Sequence, residues 1–132
     1  MGLAIIYVKP YMCCVSNLCT FFAALADENR LRLLHLMKDG EMCVCHFQGV
    51  LQTNQPKISR HLAYLKRAGL VEARRDGKWM HYRLRKLDSV REGILRETLD
   101  GLAKDQRFGK DVRRLKQIRC CPARYGISEA AS

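Results

Sequence analysis

A change of hydrophobic period in the middle of the chain limits the possible folds more than any other feature. Up to about residue 69, apolar residues recur at the spacing of amphipathic helices. Further on, Met80, Tyr82 and Leu84 alternate with their neighbours, which is the spacing of a strand. Asp76 and Gly77 lie just before this run and form a strong signal for a tight hairpin turn. The sequence therefore predicts a β-hairpin that directly follows a helical region.

Four helices are predicted ahead of this hairpin. They cover residues 17–26, 27–39, 43–51 and 54–69. Asp27 is the expected N-cap of the second helix, and Gly40 ends that helix. Asn54 or Thr53 is the expected N-cap of the fourth helix, and Pro56 lies in its first turn, where a backbone N–H has no helical partner to lose.

The fourth helix has one apolar side and one polar, cationic side. Ile58, Leu62 and Leu65 share the inward side. The side chains on the outward side are small near the start of the helix. This side can also form hydrogen bonds and is positively charged, which suits the major groove of DNA. The residues predicted to contact DNA from this helix are Gln55, Lys57, Ser59, Arg60, His61 and Arg67.

Basic residues are concentrated on the fourth helix and the hairpin. The chain has 24 Lys+Arg and 13 Asp+Glu, a formal net charge of +11. Residues 54–86 contain ten of these basic side chains and only two acidic ones. Such a surplus favours a polyanionic partner, and Arg74, Arg75 and Lys78 near the hairpin tip would bind phosphates through counterion release.

The order of the predicted elements is that of a winged helix-turn-helix: three helices, a tight turn, a polar-faced helix and a basic hairpin. We therefore predict a mainly α fold with a small β-hairpin. In such a fold the fourth helix enters the major groove of double-stranded DNA, and the hairpin, or wing, lies on the backbone or minor groove. Residues 87–119 follow as a long amphipathic helical region, with a break expected near Gly109.

Apolar stripes on the first and last helical regions predict a homodimer. The stripes exceed what one small core needs, and a dimer would place two recognition helices on two half-sites. The alternative is that the stripes simply cover the core of one protomer. Their residues are Phe21, Phe22, Leu25, Ile94, Leu99 and Leu102.

The seven cysteines indicate a reducing compartment. No secretory signal and no segment long enough to cross a bilayer is recognised in the sequence, so we expect a cytoplasmic protein without a membrane partner. In that setting, clustered cysteines more often bind metals or sense redox state than form structural disulfides. On an ideal helix the side chains of Cys43 and Cys45 would diverge by about 200°.

Four stretches of the sequence resemble the arsenical-resistance repressors of the ArsR/SmtB family. They are ALADENRLRLL, EMCVC, NQPKISRHLAYLKRAGLV and RRDGKWMHYRL, and together they span about residues 20–86. The resemblance implies a dimeric repressor that occupies its own operator and releases it when an inducer binds. It also implies that residues 55–69 are the recognition helix and residues 71–84 the wing. The expected division is an N-terminal arm (1–19), a winged domain (20–86), a dimerisation region (87–119) and a tail (120–132).

The same resemblance assigns the Cys43 and Cys45 thiolates to trivalent arsenic or antimony. Trivalent arsenic is soft and prefers three thiolates. The best-known site in the family has its third cysteine where this chain has Gln48, so the third ligand must come from elsewhere. An N-terminal vicinal pair reaching across the dimer is the expected source, and a C-terminal pair is the alternative source or a second site. The candidate ligands are Cys13, Cys14, Cys43, Cys45, Cys120 and Cys121.

The predicted mechanism follows from the expected divergence of Cys43 and Cys45. Drawing two diverging sulfurs onto one ion would distort the start of the third helix, which packs against the recognition helix. Ion binding and DNA release would then be linked. No permanent cofactor is expected.

Other triggers remain open at this stage. Cd(II) or Pb(II) could bind the same thiols with help from Cys19, and oxidation or persulfide formation could act without any ion. Zinc is disfavoured because residues 86–119 contain no histidine, whereas zinc sensors of the family place ligands on the last helix. We expect His35 and His46 to be packing or surface residues, and His81 to belong with the DNA-facing elements.

An enzymatic function is not expected. No cysteine is followed by arginine six positions later, so the phosphate-binding loop of phosphatase-like arsenate reductases is missing from the sequence. The sequence also has no glycine-rich nucleotide loop.

Overall fold

The computed structural model of the protein describes residues 18–118, which form helices around a small sheet. The helices are α1 (residues 18–25), α2 (Glu28–Leu36), α3 (Val44–Leu51), α4 (Gln55–Arg67), α5 (Ser89–Leu102) and α6 (Gln106–Leu115), and a 3-10 turn (Met37–Asp39) follows α2. The strands are β1 (Met42–Cys43), β2 (Val71–Asp76) and β3 (Trp79–Leu84). They form an antiparallel sheet in the order β1-β3-β2. The predicted winged helix-turn-helix is confirmed.

Side-chain caps fix the starts of the second and fourth helices as the sequence predicted. Asp27 Oδ1 accepts a hydrogen bond from the Arg30 amide at 3.0 Å. Asn54 Oδ1 accepts one from the Lys57 amide at 2.9 Å, so Asn54 rather than Thr53 caps α4. Each cap satisfies a backbone donor that has no partner within the helix.

The core lies between α1, α2, α3, α4 and α5. Ile58, Leu62 and Leu65 are fully buried in it, which confirms the predicted inward side of α4. The stripes on α1 and α5 contribute to the same core, because Phe21 is 0% exposed and Leu99 is 6% exposed. Phe21 and Leu99 therefore cover the core of one protomer, which is the alternative that the sequence left open.

The wing is a hairpin with a two-residue turn. Asp76 pairs with Trp79, so Gly77 and Lys78 form the turn. Gly77 has a φ of +63°, a conformation that residues with a Cβ rarely adopt. The position of the predicted turn is thus confirmed to within one residue.

A two-residue strand, β1, joins the helical core to the wing. Met42 pairs with Tyr82, and Cys43 pairs with His81. The sequence predicted that Cys43 lies in the first turn of a helix, and this prediction is wrong. Cys43 is the N-cap of α3, with extended backbone angles of φ −78° and ψ 150°, and the helix begins at Val44.

The C-terminal helical region is broken earlier than predicted. α5 ends at Leu102 and α6 starts at Gln106, so the break covers residues 103–105. Asp105 caps α6 by accepting a hydrogen bond from the Arg107 amide at 2.8 Å. Gly109 lies inside α6, and the expected break at this residue is wrong because the aspartate cap, not the glycine, sets the boundary. Within residues 18–118, no helix is both long enough and apolar enough to cross a membrane.

Candidate nucleic-acid interface and thiol site

The outward side of α4 is exposed along its whole length. This side begins with the capped first turn, where Asn54 and Pro56 fix the entry of the chain. The predicted DNA-contacting residues Gln55, Lys57, Ser59, Arg60 and Arg67 are all exposed on it. These side chains can therefore approach a polyanion directly.

His61 is placed differently from the other predicted residues of α4. Its side chain turns toward α2, where Nδ1 lies 3.5 Å from Arg30 Nη1 and 4.0 Å from Asp27 Oδ1. Burial lowers the pKa of His61 from its usual range. A guanidinium only donates hydrogen bonds, so neutral His61 accepts from Arg30. His61 thus helps to hold α4 against α2.

Arg30 connects three helices at this point. Its guanidinium carbon lies 4.1 Å from the centroid of the Tyr64 ring of α4. Its Nε donates to the Ala24 carbonyl at 2.9 Å, and its Nη2 donates to the Ala23 carbonyl at 3.1 Å, both at the end of α1. The orientation of α4 therefore depends on an arginine outside the recognition helix.

The basic side chains of the wing are exposed but partly engaged with neighbouring groups. Arg74 donates to both carboxylate oxygens of Glu41, at 3.0 and 2.6 Å. These bonds lower the pKa of Glu41. Arg75 Nη1 lies 3.4 Å from the Gly77 carbonyl, and the Lys78 ammonium lies 5.5 Å from the centroid of the Trp79 ring. The wing therefore presents cations whose positions are set by local contacts.

The sulfur atoms of Cys43 and Cys45 converge. They are 3.3 Å apart, because the extended backbone of Cys43 precedes the helix that carries Cys45. The expectation that the two side chains diverge is therefore wrong. If one ion bound both sulfurs with bonds of about 2.3 Å, as in zinc thiolates, the sulfur–ion–sulfur angle at this separation would be about 92°. One ion could bind both sulfurs without a large change in their separation.

Apolar side chains from three parts of the fold surround this pair. We call Cys43, Cys45, Val44, Trp79 and Ile118 the thiol cluster, in which the last two residues come from the wing and from the end of the described chain. Cys43 itself is 1% exposed. The thiol pair therefore lies where α3, the wing and the segment after α6 meet.

Two histidines are buried. His81 lies on the wing, as expected, but its side chain is 3% exposed, and the residue pairs with Cys43 in the sheet. His35 is 2% exposed and packs edge-on against Phe108, with ring centroids 5.4 Å apart. His35 is thus a packing residue, as expected, and burial lowers its pKa.

The described residues contribute two cysteine sulfurs to the predicted site, those of Cys43 and Cys45. Within residues 18–118, no group of three or more His, Cys, Asp or Glu side chains is arranged to hold a metal ion. Cys19 is exposed on α1. The other predicted ligands, Cys13, Cys14, Cys120 and Cys121, lie outside the described residues.

Three residues at these sites were not singled out by the sequence patterns. Arg30 has no local signal, because its partners lie on two other helices. Trp79 could have been found, since its alternation with Met80 places a large apolar side chain on the second face of the hairpin. Ile118 continues the apolar stripe of α6, and this helical spacing was the only sequence feature that pointed to the residue.

The recognition helix, the wing and the capped helix-turn-helix define the chain as a winged helix-turn-helix protein. Residues 27–73 match the family model described as bacterial regulatory protein, arsR family. The arsenic resistance transcriptional regulator ArsR2 of Pseudomonas putida is 41% identical over 108 residues, which cover 80% of this chain and 92% of the relative. The chain therefore belongs to the arsR family of bacterial regulatory proteins, which are transcriptional regulators and not enzymes.

A second relative matches a shorter region. The arsenical resistance operon repressor of Escherichia coli is 53% identical over 64 residues, or 48% of this chain and 55% of the relative. The chain thus spans about half the length of that repressor.

Solved structures agree with the fold. HlyU from Vibrio cholerae covers 68% of this chain over 96% of its own length, with a TM-score of 0.61 and 26% identity. The homodimeric winged helix-turn-helix domain Mb0332 from Mycobacterium bovis, described as a possible ArsR-family transcriptional regulator, has a TM-score of 0.60 and 30% identity. The match covers 70% of this chain and 85% of that domain.

Proposed function

We propose that the protein is a metalloid-responsive repressor that binds operator DNA as a homodimer and releases it when As(III) or Sb(III) binds cysteine thiolates. The observation that carries this proposal is the 3.3 Å separation of the Cys43 and Cys45 sulfurs at the junction of α3 and the wing. A soft ion selects thiolate ligands, and the sulfur atoms of the two cysteines already lie close together. The arsenic-resistance names of the Pseudomonas putida and Escherichia coli relatives support the same class of inducer.

DNA binding is assigned to the exposed side of α4 and to the wing. Polar and basic side chains near the start of α4 would contact base edges and adjacent phosphates, and the wing cations would bind phosphates. His61 would act by positioning α4, because it faces α2. The proposed DNA-contacting residues are Gln55, Lys57, Ser59, Arg60, Arg67, Arg74, Arg75 and Lys78.

A homodimer is supported by apolar residues left exposed on α1 and α5. Phe22 is 49% exposed and Val90 is 61% exposed. The Mycobacterium bovis domain with a similar fold is described as homodimeric. Two protomers would present two recognition helices to two half-sites, as expected for a repressor that reads a palindromic operator. We place this dimer in the cytoplasm, where thiols stay reduced.

Ion binding is coupled to DNA release through the burial of Cys43. Cys43 is 1% exposed, and Val44, Trp79 and Ile118 pack against it, so an ion that binds this sulfur would displace neighbouring side chains. Val44 is the first residue of α3, which packs on α4, and Trp79 is the first residue of β3, the second strand of the wing. Accommodating the ion therefore changes both elements that hold DNA.

The size of this coupling can be bounded. A ligand shifts an equilibrium only by its difference in affinity between the two states. Moving the operator from 99% occupied to 1% occupied requires about 5.5 kcal/mol of such preference, a factor of about 10⁴. Thiolate bonds that are stronger in the released conformation are the proposed source of this free energy.

The test is a titration of the repressor bound to a fluorescent duplex from the promoter of its own gene. As(III) and Sb(III) are expected to release the wild-type protein and the Cys19→Ser control, but not the Cys43→Ser/Cys45→Ser double variant. Cd(II), Pb(II) and hydrogen peroxide are added separately to identify other triggers. Release of the double variant by As(III), or release of the wild type by peroxide alone, would contradict the proposal.

A further inference from the structure

The outward side of α6 is basic. The one carboxylate of this helix belongs to Asp111, which is 2% exposed and bonded to Arg32 of α2. Three exposed cations follow one another at intervals of three residues, so they lie on one side of the helix and its C-cap. We call them the α6 stripe, which consists of Lys110, Arg113 and Lys116.

The cations of the α6 stripe are not used inside the protomer. None of the three forms a hydrogen bond or an ion pair with another residue in the described range 18–118. Other basic residues of the same helix are engaged, since Arg107 pairs with Glu28 at 2.7 Å. The stripe therefore keeps its positive charge for a partner outside the protomer.

Polar contacts hold α6 against the helix-turn-helix. Arg32 of α2 donates to both oxygens of Asp111, at 2.8 and 2.9 Å. Arg114 of α6 donates to the Val50 carbonyl of α3 at 2.8 Å. In a helix-turn-helix the first helix, here α3, crosses the DNA backbone while the second enters the major groove. The α6 stripe is thus carried by a helix that is docked on the backbone-crossing element.

The C-terminal end of the stripe adjoins the wing. Ile118, two residues after Lys116, packs against Cys43. Trp79 packs against the same cysteine and directly follows the turn of the wing. A Cβ placed on Gly49 would be 2.6 Å from Ile118 Cδ1, so the glycine permits this close approach to α3. The stripe therefore continues from the wing along the side of α3.

We infer that the α6 stripe binds phosphates of the operator duplex beyond the segment that α4 and the wing contact. Its length is about 9 Å, because its ends are six residues apart at about 1.5 Å per residue. Each strand of a duplex has a phosphate about every 3.4 Å along the axis, so about two or three phosphates fit this length. The inference rests on the proposed function, because it requires operator binding by α4 and the wing.

An acidic membrane is the other polyanion that a basic helix can bind. Amphipathic helices that lie on a bilayer insert an apolar face into it. In α6 the apolar face is already used, because Phe108 is 2% exposed and Leu115 packs against the core. Phosphates of DNA are bound by charge and require no free apolar face. DNA is therefore the partner that the docked helix fits.

The test measures how operator affinity depends on the length of the duplex. Fluorescent duplexes from the promoter of its own gene, shortened stepwise from both ends, are titrated with full-length protein and followed by anisotropy. The affinity of the wild type should keep rising, by about tenfold or more, beyond the length at which the Lys110→Gln/Arg113→Gln variant reaches its plateau. Equal plateau lengths in the two proteins would overturn the inference.

The salt dependence gives a second readout that a purely structural role would not change. The dimer of the Lys110→Gln/Arg113→Gln variant lacks up to four phosphate contacts, so its salt slope on the longest duplex should be lower by up to about 3.6. On the shortest duplex that both proteins bind, the two slopes should agree. An unchanged slope on the longest duplex would contradict phosphate binding by the stripe.

A matched control removes the same charge from another surface. Lys38 and Arg96 are exposed and line a groove between the 3-10 turn and α5. The Lys38→Gln/Arg96→Gln variant should keep the wild-type plateau length. A shorter plateau in this control would show that net charge, and not the position of the stripe, sets the length dependence, and it would overturn the inference.

A conservative exchange keeps the charge of the stripe. The Lys110→Arg/Arg113→Lys variant should retain the wild-type plateau length and salt slope, because a phosphate contact requires a cation and not one particular side chain. Loss of the length dependence in this variant would contradict the inference. Thermal melts of all variants should agree with the wild type, since the substituted side chains are exposed.

The outcomes separate this inference from the proposed function. If the wild type binds operator and As(III) releases it, but the plateau lengths are equal, the proposed function stands and this inference fails. If sedimentation with anionic phosphatidylglycerol vesicles depends on the stripe while the plateau lengths are equal, the partner is a membrane and the inference is wrong. If the wild type binds no duplex from the promoter, both fail.

Discussion

The buried ion pair between α2 and α6 is expected to have a large effect on stability when one partner is neutralised. Asp111→Asn keeps the size of the side chain but removes the charge that Arg32 faces at 2.8 and 2.9 Å. The Asp111 side chain is 3% exposed and that of Arg32 is 19% exposed, so water can compensate little of the loss. The hydrogen bond with Asp111 raises the pKa of Arg32 in the wild-type protein. A guanidinium stays protonated in proteins even without such a partner, so Arg32 remains charged after the substitution.

The magnitude follows from this burial. Removing one member of a buried pair destabilises proteins by about 3–5 kcal/mol, and the amide that remains places Asp111→Asn near the lower figure. For a domain of this size, about 3 kcal/mol corresponds to a fall in Tm of roughly 11 °C. The exposed pair between the same two helices, Arg107 and Glu28, offers a matched control at 2.7 Å.

The assay is urea unfolding and a thermal melt of Asp111→Asn and Glu28→Gln at one protomer concentration, because dimer stability depends on concentration. Both variants change a carboxylate to an amide in an α2–α6 ion pair. We expect Glu28→Gln to lower the free energy of unfolding by less than about 1 kcal/mol, since its pair is solvated. Equal losses in the two variants would refute the reasoning from burial.

Three further predictions follow from other contacts. Burial lowers the pKa of His35, so the folded state binds fewer protons than the unfolded state. The free energy of unfolding should therefore be fully retained above about pH 6.5 and fall below it. Urea titrations of His35→Phe should show a weaker fall, and an unchanged pH slope would refute this. Arg30→Lys removes the stacking on Tyr64 and the paired carbonyl bonds, and should reduce the free energy of unfolding by about 1–2 kcal/mol; equal stability would argue against the three-helix contact. Lys57→Ala and Arg60→Ala should each lower the salt slope of operator binding by about 1.8 if the side chain neutralises one phosphate in each protomer of the dimer, and anisotropy at several salt concentrations measures this slope.

Local signals predicted most of the winged domain. The caps at Asp27 and Asn54 act within one helical turn, so their effect can be read from neighbouring residues. The inward residues of α4 repeat at helical spacing, and the turn at Gly77 requires only a residue that tolerates positive φ. Each of these features depends on interactions between residues that are close together in the sequence.

The geometry of the thiol pair depends on a contact that is distant in sequence. β1 has two residues, too few to show any period, and it exists because Cys43 pairs with His81 of the wing. This pairing extends the backbone at Cys43 and turns its sulfur toward Cys45. His81 is buried at the same pairing, which the alternation along β3 alone did not indicate.

The C-terminal helices were only partly predictable for a related reason. The apolar stripe through Phe108 continues past the end of α5, so the spacing alone suggested one long region. The actual break depends on the Asp105 cap. The docking of α6 depends on Asp111, which has no sequence signal because its partner Arg32 is 79 residues away.

The central claim is that thiolate binding at Cys43 and Cys45 and operator binding oppose each other. The most direct measurement is the arsenite Kd of the free dimer and of the dimer saturated with operator duplex, both followed by Trp79 fluorescence. Coupling between two ligands is reciprocal, so the ratio of the two arsenite Kd values equals the factor by which arsenite weakens DNA binding. We predict that arsenite binds the DNA complex much more weakly, by up to about 10⁴-fold if release is complete. Equal arsenite affinity for the free and the DNA-bound dimer would contradict the claim.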